Sequence, residues 1–333
     1  MLSSRFRKLC AAALITAGVC LLPTATPAGA ASVTCQDLRV PVSVTGTAQT
    51  MYGRLCVPEG AKTVQVLIPG GTYNSSYWDI GHSPETRSFR LAMNDAGFAT
   101  LAVDRLGTGR SSRPLSVTVT ASTQADAVHQ VIRTLRPRFA KVIVGGHSIG
   151  SAMAMIEAGT YGDVDGVLVT GMTHRMNLVT VIPVLANMIP APLGGLGLDV
   201  GYLTTSPGTR YSAFHSPGPL DADAIAFDES TKDVFAVTES VDTLLLTNVV
   251  IPATRRIQVP VMLVVGDDTH FCGAPLGSDC SSAEALRASE APFFSEAARL
   301  RTFVLNGYGH SINYAPNASQ YHRAVAAWTR EIS

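Results

Sequence analysis

The stretch VIVGGHSIGSAMAMIEA, residues 142–158, changes character at Ser148. Before this serine lie apolar β-branched residues and a glycine pair, and after it lie mainly alanine, methionine and isoleucine residues. A short apolar run that ends in glycine is typical of a buried strand, whereas the Ala/Met-rich run is typical of a helix. The stretch therefore predicts a strand that turns sharply into a helix, with the Ser148 hydroxyl at the corner.

The five residues around this corner, Gly146 to Gly150, match the pattern G-x-S-x-G. Small residues two positions before and after the serine let the strand and helix approach closely, and the strained turn exposes the hydroxyl at the carboxyl end of the sheet. The backbone N–H of Ile149 would then point at the oxyanion that forms when Ser148 attacks a carbonyl. The motif predicts a nucleophile, and the alternative is an ordinary serine in a tight turn.

Strand-like apolar runs alternate with helix-like stretches along most of the chain. We predict strands within the runs 63–70, 98–105, 141–147, 164–171, 259–267 and 300–310, each of which ends in glycine or polar residues, and helices at 85–97, 123–136, 148–159 and 318–332. Residues 39–60 predict an antiparallel hairpin at the sheet edge. Continuous apolar strands separated by helices are typical of a parallel sheet that is buried on both faces. The predicted fold class is therefore α/β, with a mostly parallel, doubly wound sheet.

One segment interrupts this alternation, between the strand that ends near Thr170 and the strand that starts at Val259. A connection of this length carries structure of its own or a function, and we predict a helical cap at about residues 172–256. Apolar cap residues are expected to line a pocket for an apolar substrate, with plain packing against the sheet as the alternative for each of them. These residues are Leu185, Met188, Ile189, Leu193 and Leu196.

A serine nucleophile needs a histidine base and a carboxylate that orients the base. His310 follows the last predicted strand, so we expect its imidazole at the same sheet edge as Ser148. Asp267 and Asp268 directly follow the preceding strand. Because neighbouring side chains of a strand point in opposite directions, only one of the two carboxylates can face His310. We favour Asp268 as the acid and keep Asp267 as the alternative.

The loop after an early strand is expected to supply a second oxyanion donor. Residues 67–79, LIPGGTYNSSYWD, contain a glycine pair that permits close backbone approach. We predict the backbone N–H of Gly71 as this donor, with Thr72 as the alternative. A plain glycine turn without a catalytic role is the competing interpretation.

The composition excludes several classes of protein. The 333 residues are 46% hydrophobic, with 25 basic and 25 acidic side chains, which suits a large core and argues against disorder and against a nucleic-acid partner. Residues 1–30 combine three basic residues, an apolar run and a small-residue site, which predicts a secretory signal peptide cleaved near Ala30. The alternative is a membrane anchor. We expect a secreted domain of residues 31–333 without stable membrane insertion.

Four cysteines follow the signal peptide, and an exported protein is expected to pair them in disulfides. We predict the sequence-local pairs Cys35–Cys56 and Cys272–Cys280, with free buried thiols as the alternative. The chain has no Cys/His spacing typical of zinc and no G-x-G-x-x-G after the first strand, so we expect neither a metal nor another cofactor. His129, in the middle of a predicted helix, is expected to be structural.

Together these residues make the chain similar to the α/β-hydrolase superfamily over residues 40–333. The resemblance rests on the G-x-S-x-G turn, the loop PGGTYNSSYW, the stretch DRLGTGRSS (104–112), the acid after the penultimate strand, and the Gly-His pair before the last helix. It implies that Ser148 is the nucleophile, His310 the base and Asp268 the acid, with Gly71 and Ile149 as the oxyanion hole. Two features depart from the family pattern: Pro69 stands where histidine is common, and the acid loop is one residue short.

The expected function is that of a secreted serine hydrolase that cleaves a carboxylic ester or a lactone with an apolar acyl part through an acyl-enzyme. The same catalytic residues would also suit a thioesterase, or a peptidase or amidase similar to proline iminopeptidases. A binding protein that uses the fold without catalysis is the alternative from another class. The sequence does not predict the oligomeric state.

Overall fold

The computed structural model describes residues 32–196, 199–244, 253–273 and 275–333. The predicted signal peptide lies outside the described residues, so its cleavage near Ala30 and the start of the mature domain at residue 31 stay predictions.

The chain is built around one eight-stranded sheet with the order β1-β2-β4-β3-β5-β6-β10-β11. The pairs β4–β3, β3–β5, β5–β6, β6–β10 and β10–β11 are parallel. The β1–β2 hairpin and the pairing of β2 with β4 are antiparallel. The predicted α/β class and the predicted edge hairpin are therefore confirmed. The strands of this sheet are β1 (Val33–Val44), β2 (Thr47–Pro58), β3 (Thr63–Ile68), β4 (Ala99–Val103), β5 (Lys141–His147), β6 (Gly166–Thr170), β10 (Val261–Gly266) and β11 (Arg301–Leu305).

Helices cover both faces of the sheet, and every residue of β3, β4, β6 and β10 is buried. The helices are α1 (Pro84–Arg87), α2 (Phe89–Asp95), α3 (Ala121–Leu135), α4 (Ile149–Tyr161), α5 (Leu178–Ala186), α6 (Ala222–Thr231), α7 (Val237–Leu244), α8 (Ala283–Glu290) and α9 (Ser319–Ile332). The prediction of a single helix at 85–97 is wrong, because the chain forms two helices that meet at Ser88. The backbone of Ser88 is extended, and its hydroxyl accepts a hydrogen bond from the Leu91 N–H, so a new helix begins there.

The segment between β6 and β10 is only partly helical. Besides α5, α6 and α7 it contains a three-stranded antiparallel sheet of β7 (Met188–Pro190), β8 (Tyr202–Thr205) and β9 (Phe235–Ala236). The sequence did not predict this sheet, because strands of two to four residues are too short to show an apolar period.

The turn from β5 into α4 depends on two glycines. A Cβ atom on Gly146 would overlap the backbone carbonyl of Gly150, and a Cβ on Gly150 would lie 2.5 Å from the carbonyl oxygen of Ile68. The helix therefore starts in direct backbone contact with the ends of β3 and β5, which fixes the position of Ser148.

We expect Gly146→Ala to lower the free energy of unfolding by about 3 kcal/mol or more, because backbone atoms cannot move aside. Gly145→Ala is the matched control. There the added Cβ would meet only the side chains of Leu168 and Leu67, at 3.2 and 3.3 Å, which leave room for adjustment. Urea titration of both variants measures the difference, and equal losses would contradict the backbone contact.

Candidate active site

Ser148 lies at the N-cap of α4 in a strained conformation. Its φ is 54° and its ψ is −127°, in a region that non-glycine residues rarely adopt and that is typical of functional sites. Its backbone N–H donates to the carbonyl of Thr170 at 2.8 Å, which holds the corner against β6. In the part of the chain that the structure describes, the Ser148 hydroxyl has no hydrogen-bond partner and makes no cap bond.

His310 and Asp268 form a short hydrogen bond beside this serine. Nδ1 of His310 lies 2.6 Å from Oδ2 of Asp268. The two residues meet because β10 and β11 are parallel neighbours, so the loops that follow them leave the sheet at the same edge. Asp268 is only 1% exposed. Burial alone would raise the pKa of this carboxyl, but the His310 and His270 imidazoles outweigh burial and hold the pKa well below its usual value.

Asp267, the alternative acid, points elsewhere. Its Oδ2 accepts a hydrogen bond from the Gly307 N–H at 2.5 Å, and its backbone N–H donates to the Tyr308 carbonyl at 2.7 Å. These bonds tie the loop after β10 to the loop after β11. The structure thus brings Asp268 to His310, whereas Asp267 links the two loops to each other.

Ser148 and His310 line the same cleft. Its walls are mainly apolar. The lining residues are Gly71, Ser148, Ile149, Met176, Val181, Val184, Leu185, Met188, Phe214, Phe235, Ser240, His270, Phe271 and His310. These described residues include no aspartate, glutamate, lysine or arginine, so the cleft offers a charged ligand no ion-pair partner outside its histidines.

The prediction for the cap residues is right for two of the five. Leu185 and Met188 line the cleft, whereas Ile189, Leu193 and Leu196 do not. Leu193 is 77% exposed, and Leu196 packs against a small cluster under the β7–β9 sheet instead. Helix α5 supplies three of the eight residues with which this segment lines the cleft, and the others come from before and after the helix.

The predicted oxyanion donors meet at the floor of the cleft. Gly71 and Ile149 both line it, and a Cβ on Gly71 would lie 3.4 Å from Cγ2 of Ile149. Thr72 does not line the cleft. It is fully buried, and its hydroxyl accepts a hydrogen bond from the Arg210 guanidinium at 3.0 Å. Of the two alternatives, the geometry favours Gly71.

Buried polar groups brace the loop that carries Gly71. The Arg105 guanidinium donates to the Gly70 carbonyl at 3.1 Å and forms an ion pair with Glu239 at 2.5 Å. Asp104 accepts hydrogen bonds from the N–H groups of Ser75 and Arg110, both at 2.8 Å. The stretch 104–112 therefore supports the loop that carries Gly71.

Sequence reasoning missed His270. Its Nδ1 lies 3.1 Å from Oδ1 of Asp268, its backbone N–H donates to the same oxygen at 3.0 Å, and its ring lines the cleft. The two oxygens of Asp268 are thus divided between His310 and His270. The position of a histidine two residues after the acid, in the stretch DDTH, was the available signal.

The two disulfides have the predicted pairing. Cys35–Cys56 joins opposite residues of the β1–β2 hairpin, and Cys272–Cys280 closes a loop after β10. The Cys272 N–H donates to the Asp268 carbonyl at 2.7 Å, so the second disulfide lies directly beside the acid.

The side chains of Asp268, His270 and His310 also have the donor atoms of a metal site, all within 4.8 Å of one another. Both carboxylate oxygens already accept hydrogen bonds within this group, however, and neither needs a cation to satisfy it. Hydrogen bonding between side chains is therefore a sufficient account of this arrangement.

The chain belongs to the alpha/beta hydrolase family, because the model of that family matches residues 65–328. No curated protein matches the chain in sequence. None of the helices in the described ranges has the length and apolar character needed to span a bilayer.

Solved structures with the same fold include three hydrolases. A thermostable carboxyl esterase from Bacillus coagulans has a TM-score of 0.59 at 17% identity, over 89% of this chain and 98% of its own. An esterase from Thermogutta terrifontis has a TM-score of 0.56 at 16% identity, over 89% of this chain and 99% of its own. A monoacylglycerol lipase from Paleococcus ferrophilus has a TM-score of 0.56 at 16% identity, over 91% of this chain and 100% of its own. At these identities the likeness concerns the fold.

Proposed function

We propose that the protein is a secreted serine hydrolase that cleaves carboxylic esters or lactones with an apolar acyl part. The observation that carries this proposal is the strained Ser148, with its unbonded hydroxyl, in one apolar cleft with the His310–Asp268 pair. Membership of the alpha/beta hydrolase family supports it. Two disulfides support secretion, because such bonds persist in oxidising compartments.

In this mechanism Ser148 Oγ attacks the substrate carbonyl carbon while Nε2 of His310 takes the hydroxyl proton. Asp268 holds the other ring nitrogen and stabilises the imidazolium. The N–H groups of Gly71 and Ile149 donate to the oxyanion. His310 then protonates the departing alkoxide, which leaves an ester on Ser148. A water molecule then gives a proton to His310 and attacks the acyl carbon. His310 returns this proton to Ser148 Oγ as the bond to the serine breaks, which releases the acid and restores the enzyme.

The composition of the cleft favours an apolar ester over a peptide. A peptidase that reads a free amino terminus needs a carboxylate in its pocket to pair with the ammonium group. The described cleft residues include none, and Asp268, the acid that contacts the cleft histidines, is already hydrogen-bonded to both of them. An apolar acyl chain, by contrast, gains free energy from contact with walls formed by Met176, Leu185 and Phe271.

We expect kcat/KM for p-nitrophenyl esters to rise with acyl length from acetate to hexanoate. Leu185→Trp fills part of the cleft and should lower kcat/KM for hexanoate at least about tenfold more than for acetate. The matched control is Leu193→Trp, on the exposed side of the cap, which should leave the ratio unchanged. Faster cleavage of aminoacyl anilides would favour a peptidase, and faster cleavage of acyl thioesters a thioesterase.

A further inference from the structure

A second cluster of titratable groups lies outside the candidate active site, where α3 packs against α4. It consists of His129 from α3, Glu157 from α4, and Asp163 from the turn that follows α4. Gly162 ends α4 in the left-handed conformation with a φ of 63°, which turns the chain back and brings Asp163 over the helix. The three residues thus come together although they are spread over 34 positions, and their spacing in the sequence is not that of a metal-binding motif.

The buried member of this cluster accepts no hydrogen bond. Glu157 is fully buried, neither of its carboxylate oxygens accepts a hydrogen bond from a donor within the described part of the chain, and its close neighbours are the Asp163 carboxyl and Nδ1 of His129. A buried carboxylate without a counter-charge is strongly unfavourable, so such groups pair, bind a metal or keep a proton. Burial, followed by the neighbouring Asp163 carboxyl, raises the pKa of Glu157 to about 9.

The imidazole faces both carboxylates without forming a hydrogen bond to either. Nδ1 of His129 lies 3.0 Å from Oδ2 of Asp163 and 3.5 Å from Oε1 of Glu157. Both separations lack the alignment of a hydrogen bond, since Nδ1 has no such partner among the described residues. The ring is nevertheless fixed, because it stacks on Tyr161 at 3.6 Å with an interplanar angle of 8°. The Tyr161 hydroxyl is held in turn by Asp126 at 2.7 Å.

The neighbouring cation does not neutralise the cluster. Arg136 acts on Glu157 electrostatically, but its guanidinium pairs with Asp165 at 2.6 Å and donates to the Asp163 carbonyl at 2.8 Å. The carboxylates of Glu157 and Asp163 are therefore left facing one imidazole nitrogen.

We propose that His129, Glu157 and Asp163 bind a divalent transition-metal cation. One imidazole nitrogen and two carboxylate oxygens are ligands that Zn²⁺ takes, and three protein ligands leave a position for water. In a tetrahedral zinc site the ligand atoms lie about 3.3 Å apart, close to the two separations measured from Nδ1. Imidazole is a poor ligand for Mg²⁺ and Ca²⁺, which prefer oxygen. Asp163 and His129 are 26% and 19% exposed at the side chain, so solvent reaches the site.

The bound cation would connect α3 to the carboxyl-terminal end of α4. It would supply a counter-charge to two neighbouring carboxyl groups that face a single imidazole nitrogen, so it would stabilise the folded state without touching the cleft. The site is independent of the proposed hydrolysis, and so are the measurements that test it.

The test uses the full mature chain after treatment with a chelator and its removal, with Zn²⁺ alone as the probe. We expect calorimetric titration to show a Zn²⁺ site that Glu157→Gln weakens at least about 100-fold. At a hundredfold excess over its Kd, Zn²⁺ should raise the Tm of the wild-type chain by roughly 5 °C. Glu284→Gln, the same exchange at an exposed acid of helix α8 outside the ligand set, is the matched control and should bind as the wild type does.

Asp163→Asn is a second ligand variant, at a partly exposed position, in case Glu157→Gln does not fold. It should lose Zn²⁺ binding as well. Three results would overturn the proposal: a Tm that Zn²⁺ does not move, Zn²⁺ affinity that survives in the ligand variants, or a Tm that responds to Ca²⁺ and not to Zn²⁺. Survival of binding in the variants would assign the metal to another group, such as Asp268, His270 and His310.

Discussion

Replacement of Ser148 by alanine is expected to lower kcat/KM for a p-nitrophenyl ester by about 10⁵-fold or more. The substitution removes the only atom that forms the acyl-enzyme in the proposed mechanism, and water at the same place is a far weaker nucleophile. Since the hydroxyl has no hydrogen-bond partner in the described structure, its loss should leave the Tm nearly unchanged. Steady-state kinetics together with a thermal melt measure both effects on one preparation.

Ser240→Ala is the control for this experiment. Ser240 lines the same cleft from helix α7. Its substitution by alanine also removes one hydroxyl oxygen from the cleft but leaves the proposed nucleophile in place. Its kcat/KM should stay near that of the wild type. If both variants lose kcat/KM to the same extent, the two hydroxyls only shape the cleft. That result would contradict the role of Ser148 as the reacting group.

The second large effect is expected at Asp268. In Asp268→Asn the amide can donate a hydrogen bond to Nδ1 of His310, which favours the ring tautomer that cannot take the Ser148 proton. It also removes the negative charge that stabilises the imidazolium. We expect kcat to fall by about 10⁴-fold. The folded state also holds the pKa of Asp268 below its unfolded value, so this group stabilises the protein at neutral pH and loses that contribution as the pH falls below about 4.

Asp267→Asn is the matched control, one residue earlier in the same loop. Asp267 accepts a hydrogen bond from the Gly307 N–H and does not reach His310, so its loss should lower the Tm slightly and change kcat little. A large loss of kcat in this variant, with little effect of Asp268→Asn, would transfer the role of the acid to Asp267.

The sheet was predictable because its signal is local. Each central strand is a continuous apolar run, buried on both faces, that ends in glycine or polar residues, and the helices between strands show their own period. The break at Ser88 and the short cap strands were not predictable. They depend on one capping hydrogen bond and on pairing between distant segments, neither of which changes the apolar pattern.

The site was predictable to the extent that topology determines it. Ser148, Asp268 and His310 each follow a strand of one parallel sheet, and such positions converge at one edge. The contact of His270 with Asp268 required coordinates, because it depends on the turn of a single loop. The cluster at His129 shows the same limit. A mid-helix histidine appears structural until a second helix and a left-handed turn bring two carboxylates to it.

The most direct test of the account is covalent labelling of the mature chain with a fluorophosphonate, followed by intact mass measurement and peptide mapping. We predict one adduct per chain on Ser148, none on the Ser148→Ala variant, and much slower labelling of His310→Ala, because the serine hydroxyl must lose its proton to the histidine. An unlabelled wild-type protein, or an adduct on any other residue, would contradict the assignment of Ser148 as the nucleophile.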